Sequence, residues 1–353
     1  MRLIKSALGL LLGLYVAGSP VAAQESDWAF SIHFENDLFA DTDQQYTNGV
    51  KITGVSPDLT SAFRDRPELP DWAREVIPYI PFIRERGVTR TLAFSLGQNI
   101  YTPADVSQSA LVPTDRPYAG WLYFGTTFQT RELNRQDTFD VQFGLIGPQS
   151  FAEEAQRLVH ELRGLSVPRG WDNQLRTEPG IVLAYERTWR WNLYGQGGGF
   201  SSDVLPSIGA ALGNVTTYAS AGLQLRAGWN LPSDFGYSPI RPGGVTQVDA
   251  LRDGELSAAE AGSIRLIRRK AFRAYGFAGV HGRAVARDIF LDGNTFRDSH
   301  SVSSKPLVAD FVAGLTVGYG GAKLSYAKVF RTREFRNQPR DHRFGSITVS
   351  YAF

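Results

Sequence analysis

The chain has 353 residues, no cysteine and a formal net charge of +2. The lack of thiols excludes a disulfide framework, a thiolate nucleophile and a Cys-bound metal, and the near-neutral charge gives no electrostatic reason to invoke nucleic acid. Past the N-terminus, no stretch approaches the roughly 20 apolar residues that a membrane-crossing helix needs.

Arg2 and Lys5 form a short positive region, Leu8 to Val16 is apolar, and Gly18-Ser19-Pro20 breaks the run before Val21-Ala22-Ala23. This order of charge, short apolar core and small-residue site predicts a secretory signal peptide over 1–23, with the mature chain starting at Gln24.

Alternation dominates the mature chain. Trp28, Phe30, Ile32 and Phe34 share one face, and Ser31, His33 and Glu35 the other. The same period of two recurs through Phe139, Val141, Phe143 and Leu145, through Ala219, Ala221, Leu223 and Leu225, and through Ile347, Val349, Tyr351 and Phe353. One apolar face opposite a face of charged, Gln and small residues predicts an all-β fold, a transmembrane antiparallel up-and-down β-barrel. The predicted hairpins pair 28–35 with 47–55, 90–101 with 119–132, 138–146 with 179–190, 200–212 with 216–230, 272–290 with 307–319, and 322–333 with 343–353. About twelve strands would return both termini to the periplasm. Inward His33, Glu35, Asp140, Glu186 and Arg226 suit either a pore lining or a packed, closed lumen. The Pro-rich 56–88 and the segment 231–270 read as long connections, the first with room for a short helix and the second with a helical pattern from Leu256 to Ile267. The terminal aromatic Phe353 resembles the mark by which the barrel assembly machinery recognises its substrates.

With the first strand running outward, the connections 36–46, 102–118 and 147–178 lie at the extracellular mouth. The first carries Glu35, Asn36, Asp37, Asp41 and Asp43, a dense set of hard oxygen donors that suits Ca²⁺; the same residue types also serve as plain turn formers. The second holds Asp115-Arg116-Pro117-Tyr118-Ala119-Gly120-Trp121, in which Asp-Arg reads as a local ion pair and Tyr118 and Trp121 as interfacial belt residues. In the third, Ser150 and Glu153 form a capping-box pattern that predicts a helix from Phe151 to Arg163, closed by Gly164. Its apolar arc, Phe151, Ala155, Leu158, Val159 and Leu162, is expected to pack on the barrel rim. Gln156 and His160, one turn apart on one side of that helix, would then overlie the first loop.

Together these motifs resemble the lipid A deacylase family of outer-membrane barrels. The matching pieces are Glu35-Asn36-Asp37, Tyr46-Thr47-Asn48-Gly49, Gln98-Asn99-Ile100-Tyr101-Thr102-Pro103, Asp115 to Trp121, Gly144-Leu145-Ile146-Gly147-Pro148, Gln156 with His160, Gly170-Trp171 and Thr332-Arg333-Glu334-Phe335. They span nearly the whole mature chain in the family's order. The resemblance implies a twelve-stranded barrel in the cell outer membrane and Ca²⁺-dependent removal of ester-linked acyl chains from lipid A of lipopolysaccharide. It also implies a site between the wall and a loop helix on the extracellular side. It makes His160 the catalytic base and Gln156 its partner, with Asn36 and Thr47 positioning substrate and Asp37 and Glu35 as candidate metal ligands. Two positions depart from the family pattern. Gln108 stands where a Lys is usual, and Ser166 replaces a Glu six residues after the His.

No G-x-S-x-G elbow occurs, so the expected nucleophile is water, activated by His160, with Gln156 serving the oxyanion and Ca²⁺ polarising the ester. Two rivals make different demands. A Ser-His phospholipase needs a serine facing His160, and a channel or purely structural barrel needs no site at all.

Overall fold

A computed structural model describes residues 28–37, 45–59, 88–195, 198–246 and 272–352. The signal-peptide segment, the middle of the first mouth loop with Asp41 and Asp43, the 60–87 connection, the pattern from Leu256 to Ile267 and Phe353 lie outside them.

The strands are β1 (Ala29–Asn36), β2 (Gln45–Val55), β3 (Thr89–Thr102), β4 (Ala119–Arg131), β5 (Arg135–Ile146), β6 (Glu178–Trp189), β7 (Trp191–Tyr194), β8 (Phe200–Gly213), β9 (Thr216–Trp229), β10 (Phe272–Asp288), β11 (Leu307–Tyr319), β12 (Ala322–Arg331) and β13 (His342–Ala352). Every sequence neighbour pairs antiparallel except across β7, a short extra strand that pairs only with β8, while β6 pairs directly with β8. Twelve strands close the barrel where β1 meets β13, Ala29 facing Ala352 and Asn36 facing Gly345. Among the described residues, two α-helices interrupt the connections at one rim, α1 (Ala152–Arg163) between β5 and β6 and α2 (Ile289–Asp292) between β10 and β11.

The two faces separate as the alternation requires. Phe30, Ile32, Ile52, Phe94, Phe143 and Leu225 stand exposed on the outer wall, a belt that only lipid can cover favourably. The aromatics Trp28, Trp191, Tyr194, Trp229, Tyr319 and Tyr351 gather at strand ends on the rim opposite α1, all exposed, where amphipathic rings suit a membrane–water boundary. Tyr118 and Trp121 do not join them. Both are buried, Tyr118 against Trp171 with ring centroids 4.9 Å apart and Trp121 stacked on Tyr123 at 4.3 Å. The alternation that makes Trp121 an inward residue outweighs its position near a strand end.

The lumen is packed. Residues 231–246 turn back from the end of β9 and run inside the wall. Glu35 Oε1 accepts from Tyr237 Oη at 3.2 Å and from the Ile240 amide at 2.9 Å. Gln142 exchanges hydrogen bonds with Gly243 and Gly244, both at 3.1 Å, and Tyr218 Oη donates to the Gly243 carbonyl at 2.7 Å. Arg226 grips Asp203 through Nε at 2.9 Å and Nη2 at 2.6 Å, and reaches Asp234 of the inserted segment. Of the two readings of the inward polar residues, the closed lumen is the one found. At the helix-bearing rim Tyr46, Tyr101, Phe290 and Phe344 form an aromatic layer, Tyr101 stacked on Phe290 at 4.2 Å.

Candidate functional site

The site begins with an exception to the two-face rule. Asn36 continues the outward register of Phe30, Ile32 and Phe34, and Asn48 stands opposite it on β2. Asn48 in turn pairs with Ile100 of β3, across a bulge between Tyr46 and Asn48. Asn36, Asn48 and Thr102 are therefore polar groups on the lipid side of the strands, yet all are buried, Thr102 completely. Asp37, just past β1, is likewise fully buried. Thr47 occupies the bulge itself. Lipid would exact a large penalty for bare amides and a carboxylate, so a cover over this stretch is a physical requirement.

Helix α1 supplies cover over the neighbouring β3 and β4. Ala152 packs with Ile100, Tyr118 and Trp171, and Gln98 Nε2 donates to the Ser150 carbonyl at 2.6 Å. The approach is so close that a Cβ at Gly120 would overlap Ser150 Oγ and the Ala152 methyl. The helix does not start as the capping-box pattern suggests. Ser150 Oγ donates to the Gly147 carbonyl at 2.6 Å, closing a preceding short turn, and Glu153 pairs with Arg157 at 2.6 Å. The cap position falls to Phe151, left-handed at φ 57°, with no side-chain cap. The C-terminus ends as expected at a left-handed Gly164, and the Leu165 amide returns to the His160 carbonyl at 2.9 Å.

The helix is also rolled relative to expectation. Its buried residues are Ala152, Gln156 and His160, whereas Phe151, Leu158 and Leu162 of the apolar arc point away from the protein. Of the expected arc, Ala155 does pack on the wall and Val159 is half-buried. Ala152 and Ala155 seat the helix because a wall this close admits Ala beside Gly120 and has no room for Leu.

This roll brings Gln156 and His160 to the inner side. His160 is 2% exposed, and its Nδ1 lies 2.7 Å from the Ser166 carbonyl. A carbonyl can only accept, so Nδ1 carries the proton and the lone pair of the neutral ring is on Nε2. Gln156 Oε1 accepts from the Trp171 indole at 2.9 Å. That bond directs the Gln156 amide, whose Nε2 is buried with no hydrogen-bond partner among the described residues. His160 Nε2 and the unpartnered Gln156 Nε2–H thus stand one turn apart on one buried helix face. Trp171 and the Ser166 carbonyl, which set both, were not assigned roles from sequence. The Gly170-Trp171 motif pointed to the first, and no side-chain pattern could reveal the second.

The remaining sequence candidates divide between the two sides of the wall. Asn36 and Asp37 lie at the end of β1 nearest the helix-bearing rim, whereas Glu35 faces the lumen and holds the inserted segment. Among the described residues no three His, Asp or Glu cluster as a metal cage. The donors at the end of β1 are hard oxygens, the Asp37 carboxylate and the Asn36 and Asn48 amides, and that chemistry fits Ca²⁺. Gln108, in the family's Lys position, is exposed and donates to Asp105 at 2.8 Å. The Ser107 hydroxyl, together with Gln108, holds the Asp105 carboxyl below its usual value. Asp115 Oδ1 accepts from the Arg116 amide at 2.8 Å, but the guanidinium is turned to another partner. Arg116 reaches across the mouth to Glu334 at 2.9 Å, joining two of the separate motifs.

Known proteins share the fold. The family described as outer membrane protein LpxR matches residues 8–353. Among solved structures, LpxR from Salmonella typhimurium superposes with a TM-score of 0.68 at 20% identity, covering 92% of this chain and 100% of that one. The β domain of the Bordetella autotransporter BrkA gives a TM-score of 0.41 at 8% identity, covering 93% and 98%. The translocator domain of NalP from Neisseria meningitidis gives 0.34 at 10%, covering 99% and 96%. No curated protein matches the chain. With its family matched over almost its full length, the chain belongs to the LpxR family of outer membrane proteins, the lipid A deacylase barrels that its motifs resemble.

Proposed function

We propose that this barrel is a lipid A deacylase that hydrolyses an ester-linked 3′-acyl or acyloxyacyl chain, with its helix-bearing rim on the extracellular side. The observation that carries the reading is the bond between His160 Nδ1 and the Ser166 carbonyl. With Nδ1 committed there, Nε2 is the nitrogen that would take the proton, on the face of the helix turned toward the wall.

In this mechanism His160 Nε2 takes a proton from water as the oxygen attacks the ester carbonyl. The Gln156 Nε2–H, aimed by Trp171, donates to the developing oxyanion. Collapse expels the sugar hydroxyl, which recovers the proton from His160, leaving a free fatty acid. Asn36 and Thr47 position the substrate. Ca²⁺, when bound by Asp37 and neighbouring oxygens, supplies Lewis-acid polarisation of the ester. Glu35 faces the lumen and holds the inserted segment, so Asp37, next to Asn36 just past β1, is the carboxylate offered for that role.

Of the rival readings, an open channel sits poorly with the packed lumen, and the buried Ser150 at the helix start is spent on the Gly147 carbonyl. The deciding experiment is mass spectrometry of lipid A from cells expressing the wild-type chain or His160→Ala. Loss of one acyl chain with the wild type only is expected. Unchanged lipid A in both, with inserted protein, would reject the reading.

A further inference from the structure

At about 100° per residue, α1 divides into three sectors. Ala152, Gln156 and His160 face the protein, and Glu154, Arg157 and Glu161 form an exposed charged sector. Leu158 and Leu162 make a third, apolar sector, exposed at 57% and 78%, and Phe151 at the cap is exposed at 58%. The charged and apolar sectors lie on opposite flanks of the face that meets the wall, which is how a helix beside a barrel divides between water on one side and membrane on the other.

Three further observations bear on what covers the apolar flank. The wall beneath α1 continues directly into the lipid-facing belt, since Phe94 and Leu96 on β3 and Phe143 and Leu145 on β5 are exposed on the same outer surface. Phe151 holds a left-handed backbone, a conformation that disfavours bulky side chains, while placing its ring in the open. Beyond the helix, Leu165 and Val167 are also exposed.

From this we propose that the Leu158–Leu162 flank of α1, with Phe151 at its cap, is immersed in the acyl layer of the outer leaflet. The loop helix is then a membrane-seated element that forms one side of a lateral opening to His160. This deepens the deacylase reading and rests on it for the opening's purpose, while the seating itself is separately measurable.

The chain lacks cysteine, so single nitroxide labels can be placed at Leu158→Cys, Leu162→Cys, Glu154→Cys and Glu161→Cys in the full-length barrel. In vesicles of phosphatidylethanolamine and phosphatidylglycerol, labels at 158 and 162 should be relaxed by oxygen more than by an aqueous nickel chelate, and those at 154 and 161 the reverse. Equal chelate access at all four positions would overturn the proposal. This measurement needs no enzymatic activity, so it stands apart from the function assigned to His160. As a second readout, Leu158→Asp with Leu162→Asp should lower the ratio of lipid A turnover in vesicles to that in detergent by about tenfold or more. An equal loss in both settings would mean that the flank serves only the helix fold, and would likewise overturn the proposal.

Discussion

Arg116 and Glu334, 218 positions apart, form a buried ion pair across the helix-bearing mouth, Nη2 to Oε2 at 2.9 Å. Arg116 also lies over the rings of Tyr101 and Phe335, and Arg331 approaches Glu334 at 3.5 Å. Burial alone would raise the Glu334 carboxyl, but Arg116 and Arg331 overcome it and hold the group below its ordinary value.

Glu334→Gln should therefore destabilise the barrel by about 3–5 kcal/mol, because it strands a buried guanidinium. A depressed folded pKa contributes stability that is present above the unfolded carboxyl value, about 4.3, and is lost as pH falls through the folded one. Urea midpoints of the wild type should fall as pH drops below about 4, and the Gln variant should show a smaller share of that fall. Identical acid profiles for the two would remove Glu334 from the account.

The inserted segment leads to a second expectation. With Arg226, Gln142, Tyr218 and Glu35 fastening residues 234–244 inside the wall, purified protein in a planar bilayer should show no steady single-channel conductance. A stable open level of porin size would contradict the packed lumen. Arg226→Ala should unfold at lower urea, since two carboxylates would lose their shared counter-charge.

The Trp171–Gln156 bond makes a kinetic prediction. Trp171→Phe keeps a ring against Tyr118 but loses the N–H that orients the Gln156 amide. Deacylation should drop in kcat with little change in KM, and Gln156→Ala should lose about 10²-fold, the usual scale for an oxyanion donor. Near-normal kcat in both variants would exclude Gln156 from the reaction.

Metal removal tests the oxygen donors. Exhaustive chelation should abolish fatty-acid release and Ca²⁺ should restore it better than Zn²⁺, because carboxylate and amide oxygens are hard ligands with no thiolate in the chain. Full activity after chelation would leave Asp37 without that role.

The strand pattern was legible because a period of two is a local property, so all twelve wall strands could be placed within a few residues. What the pattern could not show was how elements meet. The Asp115-Arg116 motif reads as a local pair until the fold brings Glu334 beside it. Tyr118 and Trp121 resemble belt residues until register turns one inward and α1 covers the other. The roll of α1 is set by Gly120, where a missing side chain admits Ala152 and excludes the larger residues that the apolar arc would have offered. Gln156 and His160 were visible as neighbours on a helix, but what orients each comes from the stretch of chain that follows it, through a main-chain carbonyl and an indole.

Ser166 is the sharpest case of that difference, and it carries the last prediction. Its side chain departs from the family pattern, Ser where Glu is usual. The structure instead shows His160 Nδ1 bonded to the Ser166 main-chain carbonyl at 2.7 Å, a contact that does not use the hydroxyl. The departure is thereby rendered harmless to the tautomer, since a carbonyl fixes the proton on Nδ1 as surely as a carboxylate does, while adding less negative charge to stabilise the imidazolium. Ser166→Ala should then keep activity within about threefold of wild type, against the roughly 10²–10⁴-fold loss expected for His160→Ala. Ser166→Pro restricts the backbone dihedral and the residue before it, so it should displace the carbonyl and approach the His160→Ala loss. Measured as initial rates of fatty-acid release by folded, heat-modifiable protein, a large loss in Ser166→Ala would assign the role to the hydroxyl and refute the backbone account.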